Sequence, residues 1–348
     1  MPKKINLALQ GGGAHGAFAW GVLDRLLEGD EIDIAGISGT SAGALNGAAV
    51  TAGLSSGPGK AGRRAARANL DHVWSQVGQF SDSRVVRWMS SMVPIPRGMQ
   101  RWAEMFSPVA WMESVSRIFS PYDSGPFYTN PLAAIIREMP HKLGCGNYGP
   151  EFFVTATNVR TGRVRIFSGD EVTPDAVMAS GCLPTLFRAV EIDDPQTGQR
   201  EAFWDGGYSG NPALFPLFTR DLPQDIVIVT INPMEREGIP KTPVEIQDRI
   251  NEISFNSSLQ RELRAIQFMK RLTSEGRLLD RGMKEPLIHL ISDDELMTSL
   301  GTRTKVMPGP GLLSQMKQAG RNAAERFIED CFSELGERDS VDLPRLYG

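Results

Sequence analysis

A serine sits in the run Gly39-Thr40-Ser41-Ala42-Gly43, immediately after an apolar stretch, and the run fits G-x-S-x-G. Such a pattern carries a nucleophilic serine where a strand turns sharply into a helix. Small neighbours let strand and helix approach, and the hydroxyl stands clear of the backbone. The helix that starts there aims its N-terminal amides and the positive end of its dipole at developing negative charge. Alone the pattern is weak: glycine makes up 36 of the 348 residues, and with serine near 7% chance supplies roughly 0.2 matches in such a chain. Placement after an expected buried strand is what gives Ser41 weight.

A second glycine-rich run, Gly11-Gly12-Gly13-Ala14-His15-Gly16, also follows an apolar stretch and also opens a helical pattern. Consecutive glycines bare their backbone N–H groups, as an oxyanion hole requires when a tetrahedral intermediate forms. The same six residues fit the dinucleotide fingerprint G-x-G-x-x-G, with Asp33 about 20 residues on in the place of a ribose-binding acid. Against that nucleotide-binding reading, Asp33 falls at the start of the second expected strand rather than its end, and Ser41 is left unexplained.

A serine nucleophile needs a base. The histidines are His15, His72, His141 and His289, none in a recognisable catalytic setting. His289 follows Asp205 in the Ser, Asp, His order of α/β-hydrolases, but it lies inside an expected strand, where a histidine is more often structural. The best acidic candidate is Asp205 in Trp204-Asp205-Gly206-Gly207. There a carboxylate projects from a turn; taken alone, Asp-Gly is equally the signature of an ordinary β-turn.

The elements that must position these residues read as α/β. Residues 5–9 and 32–37 form short buried strands, and residues 17–28 a helix with Phe18, Val22 and Leu26 on one face. Strand, turn, helix repeated twice is the beginning of a parallel sheet. Residues 54–64 have the composition of a flexible connector that opens an insertion. Residues 152–157 and 164–167 read as a hairpin-like pair, 226–231 as a central strand and 286–291 as a weaker one. Residues 245–272 and 312–335 read as amphipathic helices, with apolar rows Ile246, Ile250, Ile253 and Leu259, Leu263, Ile266; they suit the core and a dimer interface equally.

The glycine loop, the GTSAG elbow and the DGG turn, in that order, resemble the patatin-like phospholipases. The likeness spans at least residues 5–211, with Ala179-Ser180, 184–187 and Asn211-Pro212 also fitting. It implies a three-layer α/β/α fold with a mainly parallel central sheet and a helical cap insertion. As domains it implies a single unit over 1–348, with a cap or lid at 54–125 and a helical C-terminal extension at 236–348. It further implies a serine acyl-hydrolase that cleaves fatty-acyl esters of lipids, phospholipids or lysophospholipids among them, through a Ser-Asp dyad and without a catalytic histidine. On this resemblance Ser41 is the nucleophile and Asp205 the base, with the amides of Gly11, Gly12 and Gly13 as the oxyanion hole. No metal or organic cofactor is implied. One departure stands out: family members often carry arginine where this chain has His15, which lacks a permanent charge. An acyltransferase on the same scaffold is the alternative, although such enzymes usually place histidine before the serine, where this chain has Thr40.

Composition bounds the rest. With 37 Lys and Arg against 41 Asp and Glu the net charge is −4, which offers no basic field for nucleic acid. Cys145, Cys182 and Cys331 form no C-x-x-C pair and read as reduced thiols. With no secretory signal pattern and no apolar run long enough to span a membrane, a cytoplasmic protein is expected, touching membrane only peripherally. Residues 84–119 hold Trp88, Trp102 and Trp111 among five methionines and several arginines. They suit a lipid-contacting lid and an internally packed insertion equally.

Overall fold

Strand β1 (Lys3–Leu9) ends in five fully buried residues. The computed structural model describes residues 2–81, 120–123, 130–138, 149–277, 284–300, 304–305 and 310–347. After β1 come α1 (Ala17–Glu28), β2 (Ile32–Thr40), α2 (Ala42–Ser55) and α3 (Lys60–Ser81). The chain continues through α4 (Pro131–Arg137), β3 (Glu151–Asn158), β4 (Val164–Ser168), α5 (Pro174–Ser180), β5 (Val190–Asp194) and β6 (Gln199–Asp205). Last are β7 (Asp225–Val229), α6 (Pro243–Ser274), β8 (Leu287–Ile291), α7 (Asp294–Ser299), α8 (Pro310–Cys331) and α9 (Leu343–Tyr347).

The strands form one sheet in the order β5-β6-β3-β2-β1-β7-β8, with β4 pairing β3 off that path. Pairings β1–β2, β1–β7, β2–β3 and β7–β8 are parallel; β3–β4, β3–β6 and β5–β6 are antiparallel. Parallel strands need helical crossovers, which cover both faces and make the central strands uniformly apolar. Strand β7, DIVIV, is buried at every position. Helix α1 buries Phe18, Val22 and Leu26 as its spacing predicts. Helix α2 is buried all round from Ala42 to Gly53, the environment its small-residue composition requires.

Two apolar clusters make the three layers. The larger joins β1 and β2 to α1, α2, α3 and α8 through residues such as Leu7, Phe18, Val50, Trp74 and Phe327. The smaller, on the other face, joins Ile226 and Ile228 to Leu259, Leu263 and Ile266 of α6. Helix α6 opens with a capping box in which Thr242 and Glu245 satisfy each other's backbone amides.

One feature differs from the sequence pattern. The expected connector narrows to residues 56–59, because the alanine- and arginine-rich segment after it is good helix former and becomes the start of α3. That helix sends Ala66, Leu70 and Trp74 into the main core. In α6 the two apolar rows part: Leu259, Leu263 and Ile266 are buried in the core, whereas Ile246, Ile250 and Ile253 are 43%, 50% and 54% exposed. At 32 residues the helix is about 48 Å long, whereas five-residue strands span about 17 Å. Its N-terminal part overhangs the sheet.

Candidate active site

Strand β2 ends at Thr40 and α2 begins at Ala42, so Ser41 alone makes the turn between them. It does so at φ 54° and ψ −119°, making it the one non-glycine residue with positive φ among the described residues. Such a conformation costs about 1–3 kcal/mol and persists only where the surroundings enforce it. Those surroundings are visible. The Ser41 amide donates to Ser180 Oγ at 2.8 Å, and that hydroxyl donates to Thr155 O at 2.6 Å. Helix α2 then lies so close to β1 that a Cβ on Gly43 would stand 2.1 Å from Leu9 O.

Asp205 reaches the same place from β6. In the sheet Thr40 pairs with Thr155, and the next residue of β3, Ala156, pairs with Asp205. The serine turn and the aspartate therefore flank β3, with backbones about 10 Å apart, and their side chains close over it. Asp205 is 0% exposed. Its Oδ1 accepts from the Gly207 amide at 2.7 Å, while Oδ2 is buried with no hydrogen-bond partner. Burial pushes the carboxyl up to about 7, against the opposing pull of the Gly207 amide and the Ser41 hydroxyl. Ser41 thus acts on the carboxylate as a neighbour, yet makes no bond to Oδ2 that meets hydrogen-bond geometry. The resting pair is an alcohol standing beside an unsatisfied carboxylate oxygen.

The glycine loop lies against the turn: a Cβ on Gly11 would meet Thr40 O at 2.6 Å and Ser41 Cβ at 2.7 Å. Four side-chain amides hold it there. Asn211 Oδ1 accepts from the Gly11 amide at 2.6 Å, and Gly11 O accepts from Asn232 Nδ2 at 2.9 Å and Asn211 Nδ2 at 3.2 Å. Gln10 Oε1 accepts from the amides of Ile231 and Asn232, and Gln10 Nε2 donates to Asn256 Oδ1 at 2.8 Å. Of the three expected oxyanion donors, the Gly11 amide is therefore engaged in scaffolding. The amides of Gly12 and Gly13 carry no such bond among the described residues.

His15 is 1% exposed, and burial together with nearby Lys305 lowers its imidazole to about 3. It is neutral at physiological pH, with Nε2 2.7 Å from Thr304 Oγ1. Ser41 and Gly13 open onto a cavity of about 240 Å³ walled by apolar side chains, among them Leu45, Trp74, Leu132, Val177 and Phe187. Cys182, next to this cavity wall, is an inert thiol: burial and then Asp205 push it up to about 12.

Other sequence candidates stand elsewhere. His289 is buried on β8, an edge strand separated from β2 by β1 and β7, and its ring nitrogens face Asp225 Oδ1 at 3.0 Å and Ser340 Oγ at 3.1 Å. It takes no part in the site. Asp33 sits at the opposite end of β2 from Ser41, paired with Arg63 at 2.7 Å, away from the glycine loop that a ribose-binding acid would accompany. His72 lies on α3, 3.5 Å from Glu138. The tryptophan- and methionine-rich residues 84–119, His141 and Cys145 fall outside the described residues. Among the described residues no group of His, Cys, Asp and Glu suits a metal ion, and no helix is long and apolar enough to cross a membrane. Sequence reasoning gave no role to Gln10, Asn232, Asn256 or Lys305; each gains one only through partners far off in the chain.

The model of the patatin-like phospholipase family matches residues 7–218. No curated protein matches the chain. Among solved structures it is similar to VipD from Legionella pneumophila at 16% identity and a TM-score of 0.43, covering 94% of this chain and 67% of that one. It is similar to the type III effector protein ExoU at 16% identity and a TM-score of 0.32, covering 94% and 53%. The ExoU–SpcU complex of Pseudomonas aeruginosa gives 17% identity, a TM-score of 0.29, and coverage of 97% and 61%. The chain thus spans between about half and two thirds of these proteins' lengths.

Proposed function

The chain belongs to the patatin-like phospholipase family, a family of lipid acyl-hydrolases, and from that premise we propose that it cleaves fatty-acyl esters with Ser41 as nucleophile and Asp205 as base. The observation that carries the assignment is the pairing across β3 of a serine in an enforced turn with a buried carboxylate whose Oδ2 lacks a partner. Oδ2 takes the proton from Ser41 Oγ as the oxygen attacks the ester carbonyl. The tetrahedral oxyanion meets the amides of Gly12 and Gly13. As the intermediate collapses, Asp205 gives its proton to the departing alcohol and an acyl ester remains on Ser41. Water enters, Asp205 takes its proton, and a second collapse frees the fatty acid and returns the proton to Ser41. The apolar cavity beside Ser41 receives the acyl chain, and the same chemistry acts on phospholipid and lysophospholipid esters.

The experiment for this reading is covalent labelling with a fluorophosphonate, mapped by mass spectrometry. Modification at Ser41 alone, lost in Ser41→Ala, is the expected result; a labelled residue other than Ser41 overturns the assignment. Since Asp205 works as a base only when ionised, and burial holds it at about 7, kcat/KM rises as pH increases through that value. A rate already flat from about pH 5 contradicts Asp205 as the base.

Leu132 tests the cavity as the acyl site. A Cβ placed on Gly181 would be 3.6 Å from Leu132 Cδ1 and 3.8 Å from Ser41 Oγ, so Leu132 stands beside the nucleophile. Leu132→Trp is expected to lower kcat/KM for long-chain esters about 10-fold more than for acetyl esters, by removing apolar space. Equal effects on both lengths would place the acyl chain elsewhere.

A further inference from the structure

The glycine loop has no charge of its own: its one ionisable side chain, His15, is neutral. A cation nevertheless reaches it from far down the chain. Lys305 lines the same cavity as Ser41 and Gly13. Its backbone lies on the end of the loop, where a Cβ on Gly13 would meet Lys305 O at 2.4 Å and Lys305 Cβ at 3.4 Å. Its Nζ donates at 2.6 Å to Asn232 Oδ1, and Nδ2 of that same asparagine donates to Gly11 O at 2.9 Å. Lys305 therefore touches the loop at both ends, directly at Gly13 and through Asn232 at Gly11. The preceding residue, Thr304, meets His15 at 2.7 Å.

No carboxylate pairs with this ammonium among the described residues. The charged groups that face it are Glu252 and Asp248 from α6 and Arg236 after β7, acting at longer range. Glu252 is already bridged by Arg236 at 2.7 Å and Arg249 at 3.3 Å. An ammonium buried against a neutral amide, with no carboxylate paired to it among the described residues, is a poor device for stability, since desolvation costs more than the amide partner returns. It is a good device for stabilising a negative charge that appears only during reaction, because a low local dielectric magnifies the interaction.

Resting on the acyl-hydrolase reading above, we infer that Lys305 supplies a positive charge to the oxyanion loop and stabilises the tetrahedral intermediate formed at Ser41. The charge acts on the oxyanion through space beside the Gly12 and Gly13 amides, and Lys305 exchanges no proton with substrate. Burial lowers its ammonium to about 8, so the contribution is present below that pH and is lost as pH rises through it.

The test compares wild type, Lys305→Met and Lys305→Arg on a neutral ester, p-nitrophenyl butyrate, and on micelles of lysophosphatidylglycerol, with folding checked by thermal melting. Lys305→Met is expected to lower kcat about 10²-fold on both substrates with little change in KM, and to slow fluorophosphonate labelling of Ser41 similarly. Lys305→Arg restores most of the rate. The wild-type fall in activity above about pH 8 disappears in Lys305→Met and moves to higher pH in Lys305→Arg. Unchanged kcat on the neutral ester overturns the inference, and a KM rise confined to the anionic lipid would make Lys305 a headgroup contact instead. A Lys305→Arg variant as slow as Lys305→Met would assign it to packing alone. Unlabelled Ser41 in wild type would sink the hydrolase reading itself, whereas labelled Ser41 with an indifferent Lys305→Met sinks only this inference.

Discussion

Asp205→Asn is expected to melt at a higher temperature than wild type at alkaline pH while turning over acyl esters about 10² to 10⁴ times more slowly. Both effects come from one fact. The Asp205 carboxyl is fully buried, and burial raises it from 3.8 to about 7. A folded-state acid raised above its unfolded value holds a proton that the unfolded chain releases, so wild-type stability falls as pH climbs between those two values and is level above the upper one. The corresponding cost has an upper bound of about 4 kcal/mol. Asparagine removes the charge and keeps an oxygen to accept from the Gly207 amide, as Oδ1 does at 2.7 Å in the wild type. The melting difference should therefore grow from near zero at about pH 4 and level off beyond about pH 7. Catalysis moves oppositely, because an amide cannot take the proton of Ser41. A variant less stable than wild type at every pH would mean that the carboxylate serves the fold, and full activity would remove it from the mechanism. Stability given up for function at one buried group is common in active sites.

Gly11→Ala is the second large effect expected. The added methyl would lie 2.6 Å from Thr40 O and 2.7 Å from Ser41 Cβ. Neither neighbour yields easily, for Thr40 is fixed in the sheet against Thr155 and Ser41 is held by Ser180. The loop must move away from the elbow, carrying the Gly12 and Gly13 amides with it. Overpacking of this kind costs about 1–3 kcal/mol, and displacing the oxyanion donors costs about 10²- to 10³-fold in kcat. Gly311→Ala is the control, since among the described residues nothing lies within 4 Å of its Cβ position and it should be nearly neutral. Chemical denaturation together with kcat measures both parts; a Gly11→Ala variant with wild-type kcat would free the loop from any role at the reacting carbonyl.

The sequence makes the turn-borne chemistry legible for a physical reason. Close approach of a strand, a helix and a loop demands small residues, so the elbow around Ser41 and the glycine loop advertise themselves through composition. The central strands are equally readable: a strand buried on both faces is mostly apolar, as β7 is after Asp225. Other parts depend on which distant segments meet. Asn232 and Gln10 look like ordinary polar residues until the adjacency of β1 and β7 sets them around Gly11, and Asn211 until the loop after β6 folds back onto the same glycine. Lys305, 292 residues beyond Gly13 by the difference of their numbers, has no local pattern at all. The apolar row Ile246, Ile250, Ile253, exposed where Leu259, Leu263 and Ile266 are buried, shows why the choice between core and interface stayed open: helical periodicity reveals an apolar face but not whether a partner lies over it.

The measurement that bears most directly on the central claim is release of fatty acid from a panel of short-chain esters, lysophospholipids and diacyl phospholipids by wild type, Ser41→Ala and Asp205→Asn, each shown to be folded. The account predicts turnover by wild type on at least one lipid ester, none above background from Ser41→Ala, and a residual trace from Asp205→Asn. Wild-type turnover that survives in Ser41→Ala, or a folded wild type inert on every ester in the panel, would contradict it.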